Sequence, residues 1–176
     1  LLLGPGRASA DEERLWQALQ QGNHVALLRH ALAPGTGDPA DFALGRCETQ
    51  RNLSERGRRQ AVRIGERFRS NGIAAAVVFT SEWCRCRDTA QALGLSAVTD
   101  LPLLNSFFGR PDRRQPQTEG LTRWLRAQDL SGPLVLVTHQ VNITALTGIF
   151  PGSGELVVVR RNDDGSLQAV GSIGTD

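Results

Sequence analysis

The sequence predicts an α/β fold: a three-layer sandwich with a mostly parallel sheet, helices on both faces and a C-terminal antiparallel hairpin. Three observations carry the prediction. Short unbroken apolar runs, at Val25 to Leu28, Ala75 to Thr80 and Leu134 to Thr138, have the pattern of strands buried on both sides. Helical stretches alternate with them from residue 25 to residue 150. Two final runs bracket Asn162-Asp163-Asp164-Gly165, a hairpin turn. At 176 residues, with no internal repeat and no linker composition, the chain reads as one domain over residues 11–176.

The elements follow in order. Asp11 to Gln21 is a short helix with acidic residues in its first turn and Leu15, Trp16 and Leu19 on one face. Gly22-Asn23 stops it, and the Val25 strand follows. A loop rich in Gly, Pro and Asp runs from Ala33 to Pro39. Ser54 opens the strongest helical pattern, with Ala61, Ile64, Gly65 and Phe68 on one face and Asn71-Gly72 as its stop. After the Ala75 strand come a helix from Trp83 to Leu93, a short strand at Val98 to Leu101 and a loop from Leu103 to Pro116. Thr118 to Gln128 is a helix, Leu134 to Thr138 the third buried strand and Val141 to Gly148 a short helix. Glu155 to Arg161 and Ser166 to Ile173 form the hairpin.

Composition removes several classes. With 40 % hydrophobic residues the chain is not disordered, and no run approaches the roughly 18 apolar residues of a membrane span. Net charge is +2, aromatics are 5 % and Arg is dispersed, which speaks against a nucleic-acid partner. All 20 basic residues are Arg. A biased genome is the simpler source of that bias, although the guanidinium fork also suits phosphate and carboxylate recognition. Leu1 to Ala10 reads as a signal-peptide remnant or a disordered tail, with Ala8-Ser9-Ala10 in the form of a cleavage site. It points to a periplasmic or secreted protein, and otherwise to a cytoplasmic one. In an oxidising compartment Cys47 can pair with Cys84 or with Cys86, leaving one thiol free. The spacing of the three cysteines is a poor zinc signal, so no metal and no cofactor are expected.

Open parallel sheets hold ligands beyond the carboxyl ends of their strands. Three such ends carry reactive groups: Arg29-His30, Ser81 with Arg85 and Thr89 at spacings of four, and His139. His24 falls at the opposite end of its strand and reads as structural. A neutral imidazole attacks phosphorus well, and phosphoryl transfer needs positive charge around three equatorial oxygens. Arg29, Arg85 and a protonated His139 supply that charge, and the amino end of the helix near Ser81 adds to it. The implied partner is a small phosphorylated molecule.

These blocks resemble a known family. Leu28-Arg29-His30, Leu53 to Ala61, Ser81-x-x-x-Arg85-x-x-x-Thr89-Ala90 and Val137-Thr138-His139 stand in the order of the histidine phosphatase superfamily, which has the phosphoglycerate-mutase-like fold. The resemblance runs from about Val25 to Gly148. It implies that His30 is the nucleophile and forms a phosphohistidine, with Arg29, Arg85 and His139 completing the phosphate pocket. The small size resembles compact members, among them phosphohistidine phosphatases and exported phosphatases of lipopolysaccharide-core sugars. The expectation is a metal-independent phosphomonoesterase, with a sugar or lipopolysaccharide-core phosphate as the candidate substrate; the alternatives are a phosphohistidine protein phosphatase in signalling and a non-catalytic phospho-ligand binder. Thr36, Arg51 and Gln140 are the candidate substrate-binding residues. Two departures stand out: Ala31 follows the first His where the family has Gly, and neither acid position carries a carboxylate. The first position reads Leu103-Leu104-Asn105-Ser106 and the second is Gln140. Asp38, Asp41, Asp112 and Glu119 are the remaining carboxylates that a loop or helix start offers as an acid.

Overall fold

The computed structural model describes residues 9–175, so most of the expected signal remnant lies outside the described residues. The chain forms β1 (His24–Arg29), β2 (Val77–Thr80), β3 (Val98–Asp100), β4 (Leu134–Thr138), β5 (Leu156–Arg161) and β6 (Leu167–Ile173). The helices are α1 (Ala10–Gln21), α2 (Glu55–Ser70), α3 (Cys84–Leu93), α4 (Arg114–Ala127) and α5 (Gln140–Thr147). One sheet runs in the order β3-β2-β4-β1-β5-β6. The first four are parallel, and β5 is antiparallel to both β1 and β6. Three layers result, as the alternation of elements predicts.

Each strand serves two cores because successive side chains leave opposite faces. Ala26, Leu28, Val135 and Val137 meet Trp16, Leu19, Ile64, Phe68 and Leu93, so α1, α2 and α3 cover one face. Val25, Leu27, Leu134 and Leu136 meet Leu121, Leu125 and Ile143, so α4 and α5 cover the other. Polar residues at either set of positions would bury an unpaired group, which is why the strands read as continuous apolar runs.

Element boundaries differ from the sequence expectation in one instructive place. The expected loop from Leu103 to Pro116 is shorter, because α4 already starts at Arg114 and two single turns, Pro102–Leu104 and Pro111–Arg113, precede it. Pro116 is the third residue of α4, where its missing N–H costs nothing, since first-turn amides have no partner within the helix. At the other end of the chain, Ser9 caps α1 by accepting from the Glu12 amide.

Candidate active site

Strand order creates the site. β4 lies between β2 and β1, and Arg29 pairs with Thr138 in register, so His30 and His139 leave the sheet side by side. The His30 amide donates to the Thr138 carbonyl at 3.0 Å, and the Ser81 amide donates to the Val137 carbonyl at 3.0 Å. Three carboxyl ends far apart in sequence thus become neighbours, and the two imidazole centroids lie 5.5 Å apart. His24 sits at the other end of β1, where its Nδ1 pairs with the Gly22 carbonyl.

All seven sequence-derived candidates line one cleft of about 280 Å³: Arg29, His30, Thr36, Arg51, Arg85, His139 and Gln140. Ser106, Phe108, Val141 and Phe150 complete much of its wall. Among the described residues, no carboxylate lines it. No group of three or more His, Cys, Asp and Glu among them is arranged to hold a metal ion.

The state of His30 follows from its bonds. Its Nδ1 meets the Ala31 carbonyl at 2.8 Å, and a carbonyl only accepts, so Nδ1 carries the proton. Nε2 therefore keeps its lone pair and accepts from Arg85 Nε at 3.3 Å. Burial, reinforced by Arg85, Arg29 and Arg51 and opposed by the Ala31 carbonyl, pushes this imidazole down to about 3. It is a neutral base across the physiological range.

His139 corrects the expectation of an imidazolium. Burial first, then His30 and the nearby guanidinium groups, holds it well below its ordinary value of 6.5, so His139 is neutral. Its Nε2 is 2.8 Å from Ser81 Oγ, and Cys86 Sγ lies 3.5 Å away. Positive charge comes instead from the three arginines. Arg29 donates to the Pro151 carbonyl at 2.8 Å, while its Nε is buried without a partner. Arg51 donates to Gly37 O at 2.7 Å and to Ala33 O, tying the 33–39 loop down.

Asp38 is not the missing acid. Its oxygens take Arg85 Nη1 at 2.8 Å and Nη2 at 3.2 Å in a two-pronged pair, with the Arg51 amide and Trp83 Nε1 as further donors. Burial raises its carboxyl, but the bonds from Arg85, Arg51 and Trp83 outweigh burial and leave it below the ordinary range. It is an ionised anchor that aims Arg85. Asp41 is exposed; Asp112 is held by Arg110, and Glu119 accepts from Gln115 on the surface. Asn105 Oδ1 instead accepts from the Glu82 amide at 2.9 Å and from Ser81 Oγ at 3.3 Å.

Two further residues explain the motif spacing. Thr89 Oγ1 accepts from the Ala31 amide at 3.0 Å and donates to the Arg85 carbonyl at 2.7 Å, joining the His30 loop to α3. Gly57 lets α2 approach the same loop, since a Cβ there would stand 2.1 Å from the Leu32 carbonyl oxygen. Cys47 and Cys84 are bridged, which resolves the open pairing and leaves Cys86 a buried free thiol. The bridge ties the loop carrying Arg51 to the residue beside Arg85.

A family model described as histidine phosphatase superfamily (branch 1) matches residues 25–117. The chain belongs to the histidine phosphatase superfamily. Solved structures with a similar fold include the protein histidine phosphatase SixA complexed with tungstate: TM-score 0.59 and 12 % identity, over 86 % of this chain and 97 % of that one. The putative phosphohistidine phosphatase SixA from Agrobacterium tumefaciens gives 0.58 and 20 %, over 88 % and 99 %. Mycobacterial glucosyl-3-phosphoglycerate phosphatase gives 0.58 and 18 %, over 85 % and 97 %. At such identities the likeness is one of fold. No curated protein matches the chain.

Proposed function

We propose that this superfamily member is a phosphatase acting on phosphomonoesters through a phosphohistidine on His30. One observation carries the reading: His30 is buried, neutral and fixed in the tautomer that leaves Nε2 its lone pair, in a cleft lined by three guanidinium groups. Asp38 neutralises part of that charge by pairing with Arg85, and the surplus suits an oxyanion. Named phosphatases among the similar folds support the same class.

The lone pair on Nε2 attacks phosphorus and forms the N–P bond. The ester P–O bond breaks, and its electron pair leaves with the alcohol oxygen. The ring becomes cationic, with Nδ1–H still bonded to the Ala31 carbonyl, which stabilises the charge. Arg29, Arg51 and Arg85 spread positive charge around the transferring oxygens, while His139 stands beside them as a neutral imidazole with its Nε2 against Ser81 Oγ. Water then attacks phosphorus, the N–P bond breaks, His30 regains its lone pair, and the water's proton leaves with phosphate or to solvent. The Cys47–Cys84 bridge supports an oxidising compartment, periplasmic or extracellular.

The test is a His30→Ala comparison together with phosphoenzyme trapping. Wild-type protein is expected to hydrolyse phenyl phosphate and to carry an acid-labile, base-stable phosphoryl group on His30. Phosphate binding without turnover, or equal turnover in His30→Ala, would overturn the reading.

A further inference from the structure

The mouth of the cleft is built unlike its floor. Its floor is cationic, whereas Phe108 and Phe150 stand at the lining with 58 % and 73 % of their surface exposed. Two exposed phenyl rings on the lining of one small cleft offer a ligand flat apolar surface. The Phe108 ring lies beside Gly37 in the loop that carries Thr36: a Cβ added at Gly37 would lie 3.5 Å from it.

The lining of the cleft is equally specific in the side chains it offers a leaving group. Among the described residues no carboxylate lines the cleft, and Asp38 is an ionised anchor rather than a proton donor. Asn105 bonds Ser81 and Glu82, with its Nδ2 2.7 Å from the Glu82 carboxylate. Loose phosphoryl-transfer transition states place much of the departing electron pair on the leaving oxygen. An aliphatic alkoxide there needs a proton donor, whose help is worth about 10²- to 10⁴-fold. An oxygen whose conjugate acid is already acidic does not.

Resting on the phosphohistidine reading above, we infer that the substrate is a phosphate ester of a planar aromatic hydroxyl, with its ring bound against Phe108 and Phe150. The phosphoryl group passes from the phenolic oxygen to His30 Nε2. The P–O bond breaks as N–P forms, and the phenoxide departs as an anion, taking its proton from solvent after release. This reading favours an aryl ester over the phosphorylated sugar that the sequence resemblance suggests.

The test compares kcat/KM of the intact protein on substituted phenyl phosphates, glucose 6-phosphate and acetyl phosphate, with Phe108→Ala and Phe150→Ala variants alongside. Rates should climb steeply with the acidity of the phenol, and glucose 6-phosphate should lag phenyl phosphate by at least about 100-fold. Each Phe substitution should lower the aryl-to-acetyl ratio of kcat/KM by roughly 3- to 10-fold, the size of one aromatic contact. Glucose 6-phosphate turned over as fast as phenyl phosphate, or a flat phenol series, overturns the inference while the phosphoenzyme on His30 still stands. An unchanged aryl-to-acetyl ratio in both Phe variants overturns the stacking subsite. Absence of any phosphoenzyme with every substrate overturns the inference together with the reading beneath it.

Discussion

The two buried imidazoles should make the protein sensitive to acid well above the pH at which carboxylates protonate. Burial, then Arg85, pushes His30 down to about 3, and burial, then His30, holds His139 well below 6.5. In the unfolded chain both titrate near 6.5, so below that pH the unfolded state binds protons that the folded state refuses. Stability therefore rises with pH through this range and is lost as pH falls from 6.5 toward the folded values. Each group costs about 1.4 kcal/mol per pH unit within that window. From pH 6.5 to pH 5 this amounts to roughly 2 kcal/mol for His30, a sizeable part of the 5–15 kcal/mol typical of a domain, and His139 adds to it in the same direction. Urea titrations at intervals from pH 8 to pH 5 measure it as a falling midpoint with constant m. His30→Asn should lower the slope by about 1.4 kcal/mol per pH unit below pH 6, and a saturating phosphate mimic such as vanadate should flatten it, because an anion in the cleft favours the protonated rings. A midpoint that stays level from pH 7 to pH 5, or a slope that survives in the His30→Asn, His139→Asn double variant, would refute the assignment of two neutral buried histidines.

Three other outcomes follow from single contacts. Asp38→Asn leaves Arg85 buried without its carboxylate and should cost roughly 3–5 kcal/mol in urea unfolding and about 100-fold in kcat/KM; wild-type values for both would show that Asp38 is not the anchor. Gly57→Ala drives a methyl group into the Leu32 carbonyl and should destabilise by about 1–3 kcal/mol, seen as a lower melting temperature; an unmoved transition would contradict the close approach of α2. Cys47 and Cys84 are 37 residues apart in sequence, and closing such a loop is worth about 4 kcal/mol through unfolded-state entropy. Dithiothreitol should therefore lower the melting temperature of the wild type but not that of Cys47→Ser, and equal responses would argue against the bridge.

The reading of elements from sequence succeeded where the signal is local. A continuous apolar run such as Leu134 to Thr138 can hardly be anything but a buried strand, and the α2 stripe of Ala61, Ile64 and Phe68 fixes which face of that helix is inward. Arg29, His30, Arg85 and His139 were legible as a group because the first two and His139 stand at or just after a strand's carboxyl end, and Arg85 lies in the first turn of the helix that follows another. Asp38 was legible only as a carboxylate in a Gly-Pro loop. Nothing in its neighbourhood specifies that Arg85, 47 residues on, would claim both its oxygens. Phe108 and Phe150 gave no signal of sharing a rim, since the segments that carry them follow different strands.

By itself the sequence determined the alternation of strands and helices, the two-sided burial of the sheet and the inventory of groups able to handle a phosphoryl anion. These depend on periodicities of two and 3.6 residues, which any short window reveals. The order β3-β2-β4-β1, which makes neighbours of three distant strand ends, is a property of long-range pairing. So is the protonation state of His139, which reverses the charge expected of it. Solvation at a point is set by everything packed around that point, and no stretch of chain contains its own surroundings.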